Sequence, residues 1–212
     1  MDKKLKRSCI DCGVINCDKN DRTYPDFCLT TSLDENVLDE ALSLYTEDEE
    51  NSKAVLASAE VEYENYCKMT RVEEIVEFAK KTGFKKIGIA TCVGLIAEAR
   101  TAAQIFRKHG LKVYGAACKV GAQPKTVIGI PQACQEVGKN MCNPILQAKL
   151  LNREGTDLNV VIGLCVGHDS LFYKYSDALC TTLVTKDRVL GHNPAAALYT
   201  AKTYYSRLLE DE

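Results

Sequence analysis

Short apolar runs alternate with helical segments from Lys85 to the end of the chain. The runs are KKIGIATC, LKVYGAACKVG, NVVIGLCVG and ALCTTLVTKD, and the helical segments between them include GLIAEARTAAQIFRKHG and NPILQAKLLNREG. Strands that alternate with helices form right-handed β-α-β crossovers, which give a parallel sheet covered by helices on both faces. The sequence therefore predicts an α/β fold, a three-layer sandwich with about four parallel strands.

The part of the chain before Lys85 has a different character. Residues 1–31 hold four of the eleven cysteines and little apolar periodicity, which is typical of a loop-rich knuckle. SLDENVLDEALSLY then opens with Ser32 and Glu35 at capping-box spacing, and further helices are predicted at about 52–66 and 71–81. We expect a cysteine-rich metal-binding knuckle over 1–31 and an α/β domain with N-terminal helices over 32–212. The closing stretch NPAAALYTAKTYYSRLL is predicted to be a helix.

Composition and charge limit the cellular setting. The first residues, MDKKLKRSCIDCG, are basic without an apolar stretch behind them, so neither a secretory signal nor a membrane anchor is expected. The net charge of −2 gives no electrostatic reason to bind nucleic acid or an anionic membrane. Eleven cysteines, an odd number, are better explained by thiolate ligation in a reducing cytoplasm than by a disulfide framework. The oligomeric state stays open.

The N-terminal cysteines have the spacing of a metal site. Cys9, Cys12, Cys17 and Cys28 form the pattern C-x2-C-x4-C-x10-C. Four thiolates suit structural zinc or an iron–sulfur cluster. The spacing differs from the C-x2-C-x2-C run of bacterial ferredoxins, so the pattern leaves the choice between the two cofactors open.

A second group of cysteines follows the predicted strands. Cys92, Cys118 and Cys165 each lie near the carboxyl end of a strand, where ligands bind in open parallel sheets. The long stretch after the second strand adds Cys134 and Cys142. We therefore expect these five cysteines to bind a cofactor, an iron–sulfur cluster or a soft metal ion. The alternative for each single cysteine is that it packs as a small hydrophobic side chain.

Cys165 and His168 are candidates for catalysis. A thiolate with an imidazole nearby can act as a nucleophile, and a helix beginning at about residue 168 would lower the pKa of the thiol. The alternative is that His168 and Asp169 only cap the short helix HDSLFYKYS.

The four N-terminal cysteines and three further stretches resemble a known family. These stretches are ATCVGLIAEAR, GLCVGHDSLF and DRVLGHNPAAALY. The family consists of uncharacterised cysteine-rich proteins of about this length that are regarded as metal-binding. The resemblance implies a metal at Cys9, Cys12, Cys17 and Cys28, and a second site that involves Cys92, Cys118, Cys165 and His168. It implies no reaction and no substrate.

Two functions fit these observations. The first is an iron–sulfur redox protein or oxidoreductase that meets a small-molecule substrate or an electron-transfer partner at the cysteine-rich strand ends. The second is a non-catalytic zinc-binding protein with a structural four-cysteine site and strand-end thiols that hold a soft metal. Visible absorption separates them, because zinc is colourless and thiolate-bound iron–sulfur clusters absorb light.

Overall fold

A computed structural model describes residues 6–19 and 23–210 and divides the chain into two compact units. The first unit is Met1–Leu56 and the second is Ala57–Glu212. The boundary predicted between residues 31 and 32 falls inside the first unit.

The first unit consists of short helical elements. They are a 3-10 helix at Cys9–Asp11, α1 at Asn16–Lys19, a 3-10 helix at Leu29–Thr31, α2 at Glu35–Glu47, and the first turns of α3, which spans Glu49–Asn65. Asp34 caps α2 by accepting a hydrogen bond of 3.0 Å from the backbone N–H of Asn36, so the cap lies two residues beyond the predicted Ser32. Among residues 6–19 and 23–56, none is buried. The described part of this unit therefore has no core of its own.

The second unit begins with the end of α3 and continues with α4 at Arg71–Thr82. Thr70 and Glu73 form a capping box at the start of α4, and Gly83, with a φ of 81°, ends it. The left-handed conformation at Gly83 costs a glycine little, which explains the sharp stop.

Parallel strands and helices then alternate as predicted. The elements are β1 at Lys86–Thr91, α5 at Ile96–Lys108, β2 at Lys112–Ala117, α6 at Pro144–Glu154, β3 at Leu158–Ile162, α7 at His168–Tyr175 and β4 at Leu179–Val184. The strands form one sheet of order β2-β1-β3-β4 in which every neighbouring pair is parallel. This confirms the predicted α/β fold.

Two apolar clusters cover the two faces of the sheet. On one face, α4 and α5 bury Ala79 and Phe106 against Ile87 of β1 and Val160 of β3. On the other face, α6 and α7 pack around Ala90 and Val161; this second cluster also contains Cys92 and Cys118. The result is a layer of helices on each side of the sheet, the predicted three-layer sandwich.

The strand order reverses between β1 and β3. From β1 the chain crosses to β2 on one side, and from β2 it returns to β3 on the other side of β1.

Gly163, directly after β3, has a φ of 68°, and a Cβ atom built there would lie 1.8 Å from Cδ1 of Leu95. Only glycine fits at this position, which lets the chain turn away from β3 over Leu95.

The end of the chain differs from the prediction. Only α8, Ala195–Tyr199, is α-helical in the predicted closing helix, followed by turns and a 3-10 helix at Ser206–Leu208. The hydroxyl of Thr203 donates to the backbone carbonyl of Thr200, and the side chains of Leu198 and Tyr204 are exposed. Threonine side chains that bond to the backbone compete with a helix, and no buried face offsets that competition here.

Each helix within residues 6–19 and 23–210 is too short or too polar to cross a membrane.

Candidate functional site

Several cysteines meet at the carboxyl edge of the sheet. Cys92 directly follows β1 and Cys118 directly follows β2, and both continue the strand pairing by one residue. The N–H of Cys92 donates to Ile162 over 3.3 Å, and that of Cys118 donates to Thr91 over 2.8 Å. Both thiols are buried.

A loop and a helix bring further groups to the same edge. Cys142 ends the loop that connects β2 to α6, Cys165 lies between β3 and α7, and His168 is the first residue of α7. We refer to Cys92, Cys118, Cys142, Cys165 and His168 as the rim cluster.

Cys118 is the central residue of the rim cluster. Its side chain is hydrogen-bonded to that of Cys142 and also interacts with that of Cys92. The backbone N–H of Val93 donates to the Sγ of Cys118 over 3.5 Å. Three thiols from two connections, the one from β1 to α5 and the one from β2 to α6, therefore lie side by side.

Cys118 and Cys142 titrate as a pair. The hydrogen bond to Cys142, followed by burial, raises the pKa of Cys118 above its ordinary value. The hydrogen bond from Cys118, followed by one from His168, lowers the pKa of Cys142. The two pKa values shift in opposite directions, so the pair favours a state in which one proton is shared between the two sulfurs.

Cys92 has a cationic partner. The Nζ of Lys186 lies 3.0 Å from the Sγ of Cys92, and the backbone N–H of Gly94 donates to the same sulfur over 3.4 Å. Burial raises the pKa of Cys92, but the hydrogen bonds from Lys186 and Gly94 outweigh it, so the net pKa lies below the ordinary value. The site thus stabilises a thiolate at Cys92.

Cys165 and His168 have different partners. Arg188 donates to the Sγ of Cys165 over 3.0 Å, whereas the imidazole of His168 bonds to Cys142. The backbone N–H groups of His168 and Asp169 donate to the carbonyl of Cys165, over 2.9 and 3.1 Å, and start α7. Cys165 and His168, the two residues predicted to be catalytic, thus lie at the same edge of the sheet. The side chain of Cys165 contacts Arg188, however, and that of His168 contacts Cys142.

Sequence reasoning missed the two cations at this edge, Lys186 and Arg188. They lie on the loop after β4, which its own hydrogen bonds hold in place. Oδ1 of Asp187 accepts from the N–H groups of Val189 and Leu190, over 2.8 and 2.7 Å. The available signal was the TKDR stretch at the carboxyl end of a strand, because parallel strands end at the same edge.

Gln147 of α6 lies beneath the rim cluster. Its side chain is fully buried, and its Nε2 donates to the carbonyls of Thr91 and Ala116, over 3.1 and 2.7 Å. Within the described residues its Oε1 has no hydrogen-bond partner. Gln147 therefore ties α6 to the ends of β1 and β2.

Cys134 lies apart from the rim cluster. It belongs to a 3-10 helix at Gln132–Val137 within the same loop as Cys142, and its residue is exposed. Its backbone carbonyl accepts a hydrogen bond from the ammonium group of Lys125. No hydrogen bond of the described residues connects its thiol to the other cysteines.

Cys67 and Cys180 lie near the opposite end of the sheet. Both line a cavity of about 700 Å³ that also contacts Leu158 and Leu179, the first residues of β3 and β4. This cavity is therefore separate from the rim cluster, which follows the strands' last residues.

The four N-terminal cysteines lie on the surface of the first unit. Cys9 and Cys17 are exposed, and Cys12 and Cys28 are half-buried.

All eleven cysteines fall among the described residues, and all are free thiols. In the described part of the chain, no group of three or more histidine, cysteine, aspartate or glutamate side chains is arranged to hold a metal ion. Metal binding by Cys9, Cys12, Cys17 and Cys28 therefore stays a prediction from the sequence.

Comparison with known proteins identifies the family. The model of a family described as "Protein of unknown function (DUF1847)" matches residues 28–183. The chain belongs to the DUF1847 family. An uncharacterized protein of Methanocaldococcus jannaschii is 51% identical over 162 residues, which cover 76% of this chain and 83% of that protein.

The DUF1847 match contains the whole rim cluster. Cys9, Cys12 and Cys17 precede the matched residues, and Lys186 and Arg188 follow them. Neither the name of the family nor that of the relative states an activity. The function is therefore inferred from the rim cluster itself.

Proposed function

We propose that the protein is an iron–sulfur redox protein whose rim cluster binds the metal centre. The observation that carries the proposal is the position of Cys118 at the carboxyl edge of the sheet, where its side chain contacts that of Cys142 and that of Cys92, which follows β1 at the point where the strand order reverses. Ligands of open parallel sheets bind at this point. Cys92, Cys118, Cys142 and Cys165 are the proposed cluster ligands.

The donor groups fit such a centre. Thiolates select iron–sulfur clusters, zinc and copper(I) among biological metals, and four cysteines are the usual ligand set of an iron–sulfur cluster. Two of the thiols, Cys92 and Cys142, have pKa values below the ordinary value, so they lose their protons readily when a metal binds. A bound cluster would supply one-electron transfer.

The cations at the edge support the same proposal. Four thiolates bound to one centre would carry a large negative charge, and Lys186 and Arg188 lie 3.0 Å from the sulfurs of Cys92 and Cys165. Hydrogen bonds and charges near the sulfurs set the reduction potential of such centres. Lys186 and Arg188 are therefore proposed to tune the centre.

Substrate or partner access is proposed on the side of Cys165 and His168. Cys165 is half-buried, and Arg188 beside it is exposed, so a small molecule or a redox partner can reach them from solvent. His168 is half-buried, and its side chain bonds to Cys142. Because thiolate ligands need a reducing compartment, the proposal places the protein in the cytoplasm.

A structural metal site in the N-terminal segment is a second proposal. Its support is that residues 6–19 and 23–56 contain no buried residue, although four cysteines lie within this short stretch. Small segments without a core fold when a metal joins their ligands. Cys9, Cys12, Cys17 and Cys28 are the proposed ligands of zinc or of a second iron–sulfur cluster.

The test is an anaerobic purification of the full-length protein, followed by a visible spectrum and by iron, zinc and sulfide analysis of the same sample. Iron and sulfide with broad visible absorption are expected. A colourless protein that contains only zinc would contradict the redox proposal and favour the zinc-binding alternative. A protein without bound metal would contradict both proposals.

A further inference from the structure

Cys118 and Cys142 are joined through both backbone and side chain. The N–H of Asn143 donates to the carbonyl of Cys118 over 2.7 Å, which places the two chain segments next to each other. The side chains of the two cysteines are themselves hydrogen-bonded, and both pack in the apolar cluster around Phe172. Adjacent backbones and neighbouring thiols suit a disulfide, because the Cα atoms of a disulfide lie only about 4.4–6.8 Å apart.

The two thiols differ in their access to solvent. Cys142 is half-buried, whereas Cys118 is 3% exposed. Cys92, the other neighbour of Cys118, is also buried, and its sulfur already accepts hydrogen bonds from Lys186 and Gly94. A reagent from solvent therefore reaches Cys142 first, and Cys118 is the thiol behind it.

From this arrangement we infer that Cys118 and Cys142 form a reversible disulfide, with Cys142 as the attacking thiol and Cys118 as the resolving thiol. The proposed oxidant is a small-molecule disulfide. The sulfur of Cys142 attacks one sulfur of the oxidant, which forms a mixed disulfide and releases one small thiol. The sulfur of Cys118 then attacks Cys142, which closes the protein disulfide and releases the second small thiol.

Electrons and protons balance in this exchange. The two cysteines lose two electrons and two protons in total, and the small disulfide gains them and becomes two thiols. Reduction by a dithiol reverses the reaction. The disulfide requires no metal, so the inference stands or falls independently of the iron–sulfur proposal.

The inference adds a regulatory property to the rim cluster. The two sulfurs of the disulfide are also proposed metal ligands, and a disulfide sulfur is no longer a thiolate that can bind metal. Oxidation and metal binding at these residues would therefore exclude each other. The disulfide would also close the loop between β2 and α6.

The test is peptide mapping of the full-length protein after treatment with oxidised glutathione. The protein is first treated with a chelator, and remaining free thiols are alkylated in acid before digestion. Trypsin places the relevant cysteines on separate peptides. Cys118 lies in VYGAACK, Cys134 in TVIGIPQACQEVGK and Cys142 in NMCNPILQAK.

The expected result is a linked pair of VYGAACK and NMCNPILQAK that disappears on reduction. C134S, a cysteine variant in the same loop, should keep this pair, and C118S should replace it with a glutathione adduct on Cys142. A link from Cys142 to Cys134, a link from Cys118 to Cys92, or glutathione adducts alone in the wild-type protein would overturn the inference. Because the wild-type map decides the question, a folding defect in C118S leaves the test intact.

Discussion

Lys186 donates a hydrogen bond of 3.0 Å to the sulfur of Cys92, although 94 positions separate the two residues in the sequence. The sheet brings them together, since Cys92 follows β1 and Lys186 follows β4, and parallel strands end at one edge. A thiolate beside an ammonium group is a feature of reactive and metal-binding cysteines. This pair therefore links the fold to the proposed chemistry.

Replacing Lys186 should make Cys92 less reactive. Lys186 lowers the pKa of Cys92, so K186Q is expected to raise that pKa and to shift the pH profile of alkylation to higher pH. At neutral pH the rate of alkylation at Cys92 should fall roughly three- to tenfold, since one pKa unit changes the thiolate fraction about tenfold. The rate is measured on chelator-treated protein by mass spectrometry of the peptide IGIATCVGLIAEAR.

The control for this experiment is K85Q. It removes the same charge from the exposed Lys85, which precedes β1 at the amino end of the sheet. K85Q should leave the pH profile of Cys92 unchanged. An equal shift in both variants would show that net charge, rather than the contact with Lys186, sets the reactivity.

The conformation of the loop after β4 should depend on Asp187. D187A removes the oxygen that accepts from the N–H groups of Val189 and Leu190, so the loop that carries Lys186 and Arg188 should loosen. We expect D187A to reproduce part of the K186Q effect on Cys92 alkylation. D187N keeps an acceptor oxygen at this position and should retain wild-type behaviour. A D187N variant as impaired as D187A would argue against this role of the loop.

Gly163 should tolerate no side chain. G163A combines a positive φ with a Cβ position 1.8 Å from Leu95, so a loss of about 3 kcal/mol or more of unfolding free energy is expected. Gly167 has a φ of 81° and open space around it, so G167A should lose only about 1–2 kcal/mol. Urea unfolding measures both values. Equal losses would mean that the contact with Leu95 contributes nothing.

Metal removal should affect the two units differently. If Cys9, Cys12, Cys17 and Cys28 hold a structural metal, chelation should make the segment before Ala57 sensitive to protease, since its described residues include no buried side chain. The α/β unit has two apolar clusters of its own and should stay resistant. C12S should be cleaved in this segment without a chelator, whereas C67S should not. Equal protease resistance with and without metal would contradict the structural role.

The sequence was sufficient to predict the sheet and the strand-end positions of Cys92 and Cys118. Apolar runs that alternate with helical segments predict a parallel sheet, and parallel strands end at the same edge. The sheet and the positions of the two cysteines therefore both follow from general geometry. The predicted closing helix was wrong over most of its length because the pattern did not reveal that Leu198 and Tyr204 face solvent.

The partners of the rim cysteines could not be predicted in the same way. Cys134 and Cys142 lie in one loop, and only the folded loop shows that Cys142 contacts Cys118 while Cys134 is exposed. The approach of Lys186 to Cys92 depends on the path of an irregular loop, which no periodic pattern records.

The most direct test of the proposed metal centre compares C118S with C134S. Both variants replace one thiol by a hydroxyl, but only Cys118 contacts other thiols of the rim cluster. After parallel anaerobic purification, iron, sulfide and visible absorption per chain are measured for the wild type and both variants. The account predicts wild-type values for C134S and a clear loss of iron, sulfide and absorption for C118S. Equal iron, sulfide and absorption in the two variants would contradict it.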